Sequence, residues 1–334
     1  MSRSPIKHIV LVSTVLALIV VMLGAYTRLT NAGLGCPDWP GCYGHMVLPG
    51  ADLGLQNAQV KFPDMPIEKS KAWTEMVHRY LAGTLGLFIV IIGIFTLHNR
   101  VKAGDMPWHI PALLFLLVIF QAALGMWTVT LKLLPVVVMS HLLGGVLIFS
   151  FLSRYNFQLS KIKGADLPYW RPWLRLGFFI VLSQIALGGW VSANYAGISC
   201  IGFPTCNGVW VPELHFAKGF NLFSEVGANY QGGLLESEVR VSIQFMHRLG
   251  ALITASYLLI LSVLLMKFSS YRPLKIMGIV IAALVLLQFT LGVLNVMYLL
   301  PLAVAVAHNG VAALLLAAVF SSLHFTRGML KHVH

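Results

Sequence analysis

"LGAYTRLTNAGLGCPDWPGCYG", residues 23–44, returns in altered form as "LGGWVSANYAGISCIGFPTCNG" at 187–208. The offset is 164 throughout, and eight of 22 positions are identical: Leu23, Gly24, Ala32, Gly33, Cys36, Pro40, Cys42 and Gly44 each meet the same residue. Repetition at a fixed offset marks a chain built twice from one unit. The correspondence continues downstream. "VHRYLAG" at 77–83 matches "MHRLGAL" at 246–252, and "QAALG" at 121–125 matches "QFTLG" at 288–292. "LLPVVVMSH", ending at His141, matches "LLPLAVAVAH", ending at His308.

What is repeated is apolar. Of 334 residues, 58% are hydrophobic and only 10% charged, where a soluble domain carries about 25% charged residues. A bilayer core takes roughly 20 apolar residues per spanning helix. Eight segments qualify: 9–27, 74–97, 109–130, 135–153, 173–193, 242–266, 274–295 and 301–323. The first has a basic start at Arg3 and Lys7, but its apolar run is too long for a signal peptide and no A-x-A site follows, so a retained helix is expected. Four spans per half is an even number, so both halves run the same way. The expected fold is an all-α polytopic membrane protein: two tandem four-helix bundles of the same orientation, residues 1–160 and 161–334. Parallel repeats of this kind are related by an axis along the membrane normal.

The net charge of +12 is topology rather than a nucleic-acid signal. With the N-terminus inside, the inner segments hold Arg3, Lys7, Arg100, Lys102, Arg154, Lys161, Lys163, Arg171, Arg175, Lys267, Arg272, Lys275, Arg327 and Lys331, against only Asp105 and Asp166. The whole excess thus lies on one face, as the positive-inside rule expects. Both termini are then cytoplasmic. All four cysteines fall in the two long outer loops, which face an oxidising space.

Eight of the 12 histidines (His8, His45, His98, His109, His215, His324, His332, His334) sit near water. The other four, His78, His141, His247 and His308, lie inside the second, fourth, sixth and eighth spans, four to seven residues from the outer start. At 1.5 Å per residue that is roughly 6–10 Å deep. One such histidine is ordinary packing; four at one depth, two per half, point to a ligand. Two neutral imidazoles on neighbouring helices suit an iron porphyrin held from both faces. A bare zinc site wants three or four donors. A di-iron carboxylate site wants paired Glu-x-x-His motifs, and only Glu75-Met-Val-His78 is present; its counterpart is Gln244-Phe-Met-His247. Arg79 and Arg248 follow two of the histidines and are matched to haem propionates or to snorkelling. Arg28, whose repeat partner is Ser192, is a further propionate candidate.

Glu75 breaks the symmetry. It shares a helical face with His78, and a carboxylate beside one site handles protons. The competing reading is an ordinary carboxylate paired with Arg79. Gln121-Ala-Ala-Leu-Gly125, Gln184-Ile-Ala-Leu-Gly188 and Gln288-Phe-Thr-Leu-Gly292 repeat on the third, fifth and seventh spans. Helix packing through small residues is the expectation there.

"RLTNAGLGCPDWPGCYG", "EMVHRYLAG", "QFMHRLGA" and the His141 and His308 helices together resemble the haem A synthase family over nearly the whole chain. The resemblance implies oxidation of the C8 methyl of haem O to the formyl group of haem A, through successive hydroxylations, for cytochrome oxidase biogenesis. It implies a substrate haem O facing His78 and His141 in the first half, and a haem b cofactor with axial His247 and His308 in the second. Glu75 matches the family's catalytic glutamate. Haem O synthase and oxidase assembly factors are the implied partners beside the bilayer itself, with a homo-oligomer open, and a bacterial plasma membrane is the implied location. Cysteine pairs mark only part of the family, here the cysteine-bearing bacterial type. Two other classes compete: a bis-histidine cytochrome that only moves electrons, and a haem transporter.

The cysteines lack the partners of a zinc knuckle, with only His45 near, and the C-x-x-C-H motif is absent. Two intraloop disulfides are expected, Cys36–Cys42 and Cys200–Cys206. Each closes a short loop, worth about 2 kcal/mol. The first pair carries two readings, a staple or a redox pair.

Overall fold

A computed structural model describes residues 4–48, 59–63, 65–103, 108–160 and 162–328, with backbone alone for 100–103. Of the residues used above, Arg3, Asp105, Lys161, Lys331, His332 and His334 lie outside the described residues, as do the side chains of Arg100 and Lys102.

Eight helices are long and apolar enough to cross a membrane. They are α1 (Ser4–Leu29), α2 (Lys69–Ala103), α3 (His109–Thr130), α4 (Pro135–Leu159), α5 (Trp170–Ala193), α6 (Ser237–Phe268), α7 (Arg272–Met297) and α8 (Leu302–Phe325). A single helical turn, Phe216–Gly219, sits in the second long loop. Among the described residues there is no strand, only isolated bridges joining Cys42 to His45 and Cys206 to Val209. An all-helical multi-pass membrane fold is therefore what the chain adopts.

Within each half the helices close a ring. α1 packs on α2, α2 on α3, α3 on α4 and α4 on α1; α5 to α8 repeat the pattern. Between halves α4 lies on α8, while α1 touches α8 as α5 touches α4. Those are the contacts of a two-fold relation. Arg154 strengthens the α4–α8 seam. Its guanidinium donates to the Phe320 carbonyl at 2.9 Å and stands over the Phe320 ring.

The repeat reaches the backbone. Two residues past the ends of α1 and α5, Asn31 and Tyr195 both take positive φ (54° and 55°), with Ala32 N–H returning to Thr27 O and Ala196 N–H to Val191 O at 2.9 Å each. This left-handed exit satisfies carbonyls that the helix end leaves over. α3 and α7 end in paired left-handed residues, Lys132-Leu133 and Leu299-Leu300. That conformation is costly for leucine, and a proline, Pro135 opening α4 and Pro301 at the cap of α8, follows each reversal.

The packed apolar core lies at the end away from the long loops and spans both halves, through Ile6, Leu114, Leu152, Leu174, Leu258 and Leu316. Smaller buried clusters lie at the loop end, and the four histidines sit towards that end. The two long loops meet at this end: Gln231 donates to the Asn31 carbonyl, and Tyr230 N–H to Lys132 O on the α3–α4 turn.

One expectation shifts. α2 and α6 begin at Lys69 and Ser237, five residues before the apolar runs. His78 and His247 are thus nine and ten residues into their helices, whereas His141 and His308 are six. The extra turns carry Lys69, Ser70, Lys71, Ser237, Glu238 and Arg240. Hydropathy does not register a polar turn that continues a helix upward, and here the cysteine loops pack against it.

Candidate functional site

Each cysteine loop is pinned by a buried disulfide that rests on the histidine helix below it. Cys36 is joined to Cys42 and Cys200 to Cys206, and all four are at most 1% exposed. The first knot packs on Ala72 and Met76, the second on Val241 and Phe245. These two pairs are the same positions of the repeat, six and two residues before His78 and His247.

An arginine ties each loop down. Arg79 Nη1 donates to the carbonyls of Asp38 (3.0 Å), Pro40 (3.2 Å) and Gly41 (2.5 Å). Arg248 donates to Gly202 (2.8 Å), Thr205 (3.1 Å) and Cys200. Most of the guanidinium hydrogen bonding expected to face propionates is thus spent on loop carbonyls. Nε of Arg248 is buried and unpartnered.

Glu75 lies between the loop and the helix, 5% exposed. Its Oε1 accepts from Arg79 Nη2 at 2.5 Å, and its Oε2 accepts the backbone N–H of Cys36 at 2.9 Å. Both sequence readings therefore coexist: the carboxylate is paired with Arg79 and is also buried one turn from His78. Gln244 takes its place in the second half, 6% exposed, with Oε1 unpartnered.

The histidines are seated in a common way. A Cβ added to Gly24, Gly125, Gly188 or Gly292 would lie 3.0–3.3 Å from Cε1 of His78, His141, His247 or His308 respectively. Each even helix thus sets its imidazole against a glycine of the preceding odd helix, and any side chain there would displace the ring. The glutamine one turn earlier faces the same histidine. Gln121 donates to the His141 carbonyl at 2.6 Å. Gln184 Nε2 reaches Nδ1 and the carbonyl of His247, both at 3.0 Å. Gln288 Nε2 lies 3.2 Å from His308 Nε2. At the corresponding place on α1 stands Val20, which offers His78 only its backbone. The three Gln-x-x-Leu-Gly runs are helix packing, as expected, but their packing partner is the histidine. Their occurrence only on helices that precede a histidine helix was the available signal.

The rings of His78 and His141 stand 6.5 Å apart at 76°. A metal–imidazole bond is roughly 2 Å, so that spacing admits one metal atom between two rings. His247 and His308 line a cavity of about 1130 Å³. Its wall also holds Arg28, Arg240 and Arg248 and, among the described lining residues, no carboxylate. Arg28 comes from α1 of the other half. It donates to the carbonyl of Ser192, its own repeat partner, at 2.5 Å, and its guanidinium stacks 3.9 Å over Tyr195. Its Nε is buried without a partner. Two imidazoles, an apolar chamber and unpaired guanidinium donors fit an iron porphyrin with two carboxylates.

The match to known proteins agrees with this geometry. Residues 7–320 match the family model described as cytochrome oxidase assembly protein. The chain belongs to the cytochrome oxidase assembly protein family. Among similar members, a haem A synthase of Shewanella oneidensis is 45% identical over 318 residues, 94% of each chain. A haem A synthase of Neorickettsia sennetsu is 28% identical, covering 95% of this chain and 98% of the relative. A third, from Caulobacter vibrioides, is 28% identical over 89% of each. The family match runs through both cysteine loops and all four histidine helices.

Proposed function

We propose that the protein is a haem A synthase: a membrane oxidoreductase that converts the C8 methyl of haem O to the formyl group of haem A by successive hydroxylations. The observation that carries this reading is the broken symmetry of two otherwise matched sites. Both halves present a pair of glycine-seated histidines, but only the first has a buried carboxylate, Glu75, where the second has Gln244. A protein that only carried electrons between two haems would have no use for that difference.

In this reading residues 1–160 handle the substrate and residues 161–334 the cofactor. His78 and His141 hold haem O. His247 and His308 would hold haem b, which would supply one-electron chemistry when bound. The unpaired donors of Arg28 and Arg248 would meet its propionates. Glu75 takes up protons released as the methyl is oxidised, and Arg79 together with the Cys36 N–H holds the carboxylate in place. The cysteine loops lie on the outer face of a bacterial plasma membrane with both termini inside, and haem O synthase and oxidase assembly factors are the expected partners.

Extraction and chromatography of haems decide the matter. Membranes of a strain lacking the gene and any paralogue should contain haem O and no haem A, with haem A restored by the gene. Haem A in the deleted strain would overturn the proposal in favour of an electron-transfer cytochrome.

A further inference from the structure

The two candidate haem sites carry different side chains at one edge. In the second half Phe203, on the cysteine loop, meets Phe289, on α7, with ring centroids 6.4 Å apart and planes at 78°. Both rings line the cavity that contains His247 and His308. The repeat puts Trp39 where Phe203 stands and Ala122 where Phe289 stands, each of the latter pair directly after the glutamine of its Gln-x-x-Leu-Gly run. Ala122 is exposed on α3. So the edge where two phenylalanine rings meet in the second half carries Trp39 and, in place of Phe289, only the methyl group of Ala122 in the first.

That edge is where two haems can be told apart. The iron, the macrocycle faces and the propionates are common to haem b and haem O, so ligation by histidine or pairing with arginine cannot discriminate. Haem O differs by a long isoprenoid chain on one rim of the ring. Such a chain needs apolar room beyond that rim, and a bulky side chain standing there takes the room away. Discrimination between ligands that share most contacts is obtained by obstructing the unwanted one.

We propose that Phe289, backed by Phe203, makes the second site reject a porphyrin with an isoprenoid tail, and that Ala122 leaves the first site open to it. This rests on the division of substrate and cofactor proposed above. Phe289 is well placed for the task. Its neighbour Gln288 is 3.2 Å from the ring of His308, so the obstruction is one residue from the glutamine that meets the candidate ligand.

The test is the identity of haem retained by purified protein from cells that make haem O. The wild-type second site should hold haem b. In Phe289→Ala, haem O or its oxidised products should enter that site, a change in selectivity of roughly tenfold or more. Phe203→Ala should act in the same direction, and Phe289→Leu should act less. Ala122→Phe should keep haem b, with unaltered His247–His308 ligation spectra, while losing bound haem O. If Phe289→Ala and Phe203→Ala both fold and retain only haem b, the inference is wrong while the assignment of two haems stands. If the wild-type protein contains no haem b, the assignment fails and the inference with it.

Discussion

The carboxylate of Glu75 accepts the backbone N–H of Cys36 at 2.9 Å. A disulfide knot and a candidate catalytic group thus share one hydrogen bond, across 39 residues of chain. Replacing Glu75 by glutamine keeps the shape and removes the charge and the proton site. Haem O and partly oxidised haem should accumulate, haem A output should fall by about 10²-fold or more, and haem b should stay bound. Chromatography of extracted haems checks this, and normal haem A from Glu75→Gln would remove the residue from the mechanism.

The two disulfides should separate by consequence. Losing either releases a short loop, at about 2 kcal/mol in the chain-entropy model. Of the two knots only the first touches Glu75, through the Cys36 N–H. Cys36→Ser with Cys42→Ser should therefore cost haem A output well beyond its stability loss. Cys200→Ser with Cys206→Ser should lower thermal stability in detergent by a similar amount with a smaller effect on output. Equal effects of both pairs on output would show that the first loop is only a staple.

The glycine seats can be filled one at a time. In Gly188→Ala the new Cβ would stand 3.1 Å from Cε1 of His247, tighter than ordinary contact, and Gly24→Ala would crowd His78 at 3.0 Å. Overpacking of this kind costs about 1–3 kcal/mol. Gly188→Ala should lower haem b content and perturb its absorption bands. Gly24→Ala should leave haem b in place and impair haem O conversion. Haem analysis and optical spectra of the two purified variants give the comparison.

Gln184 positions rather than ligates. Gln184→Leu removes the amide that meets both Nδ1 and the carbonyl of His247. Loss of such a partner typically costs 10–100-fold in metal affinity. The expected outcome is weaker haem retention and a shifted reduction potential. Val20→Gln on α1 is the reciprocal change and should tighten haem binding at His78. A potential and haem affinity unchanged in Gln184→Leu would make the glutamine simple packing.

Much of the architecture was legible because lipid imposes a plain code. The eight apolar runs correspond to α1–α8, and the matched stretches at 23–44 and 187–208 adopt the same bends, down to positive φ at Asn31 and Tyr195. The histidines stood out because an ionisable group among leucines is costly. Other features were hidden for physical reasons. The first turns of α2 and α6 are polar, and hydropathy cannot extend a helix through Lys69 or Ser237. The hydrogen bonds of Arg79 to Asp38, Pro40 and Gly41 go to backbone carbonyls, which no residue type announces. Arg28 serves the opposite half, and a contact across a seam between repeats leaves no local pattern.

The seam itself has a further consequence. α4 against α8, flanked by α1 on α8 and α5 on α4, is how two identical four-helix chains would associate. A true homodimer must place every residue twice, so it would own a carboxylate at both porphyrins or at neither. Joining the copies through residues 160–169 frees each from the other's constraints. One chamber can then be tuned to let its occupant react and leave, while its twin keeps hold of a permanent guest.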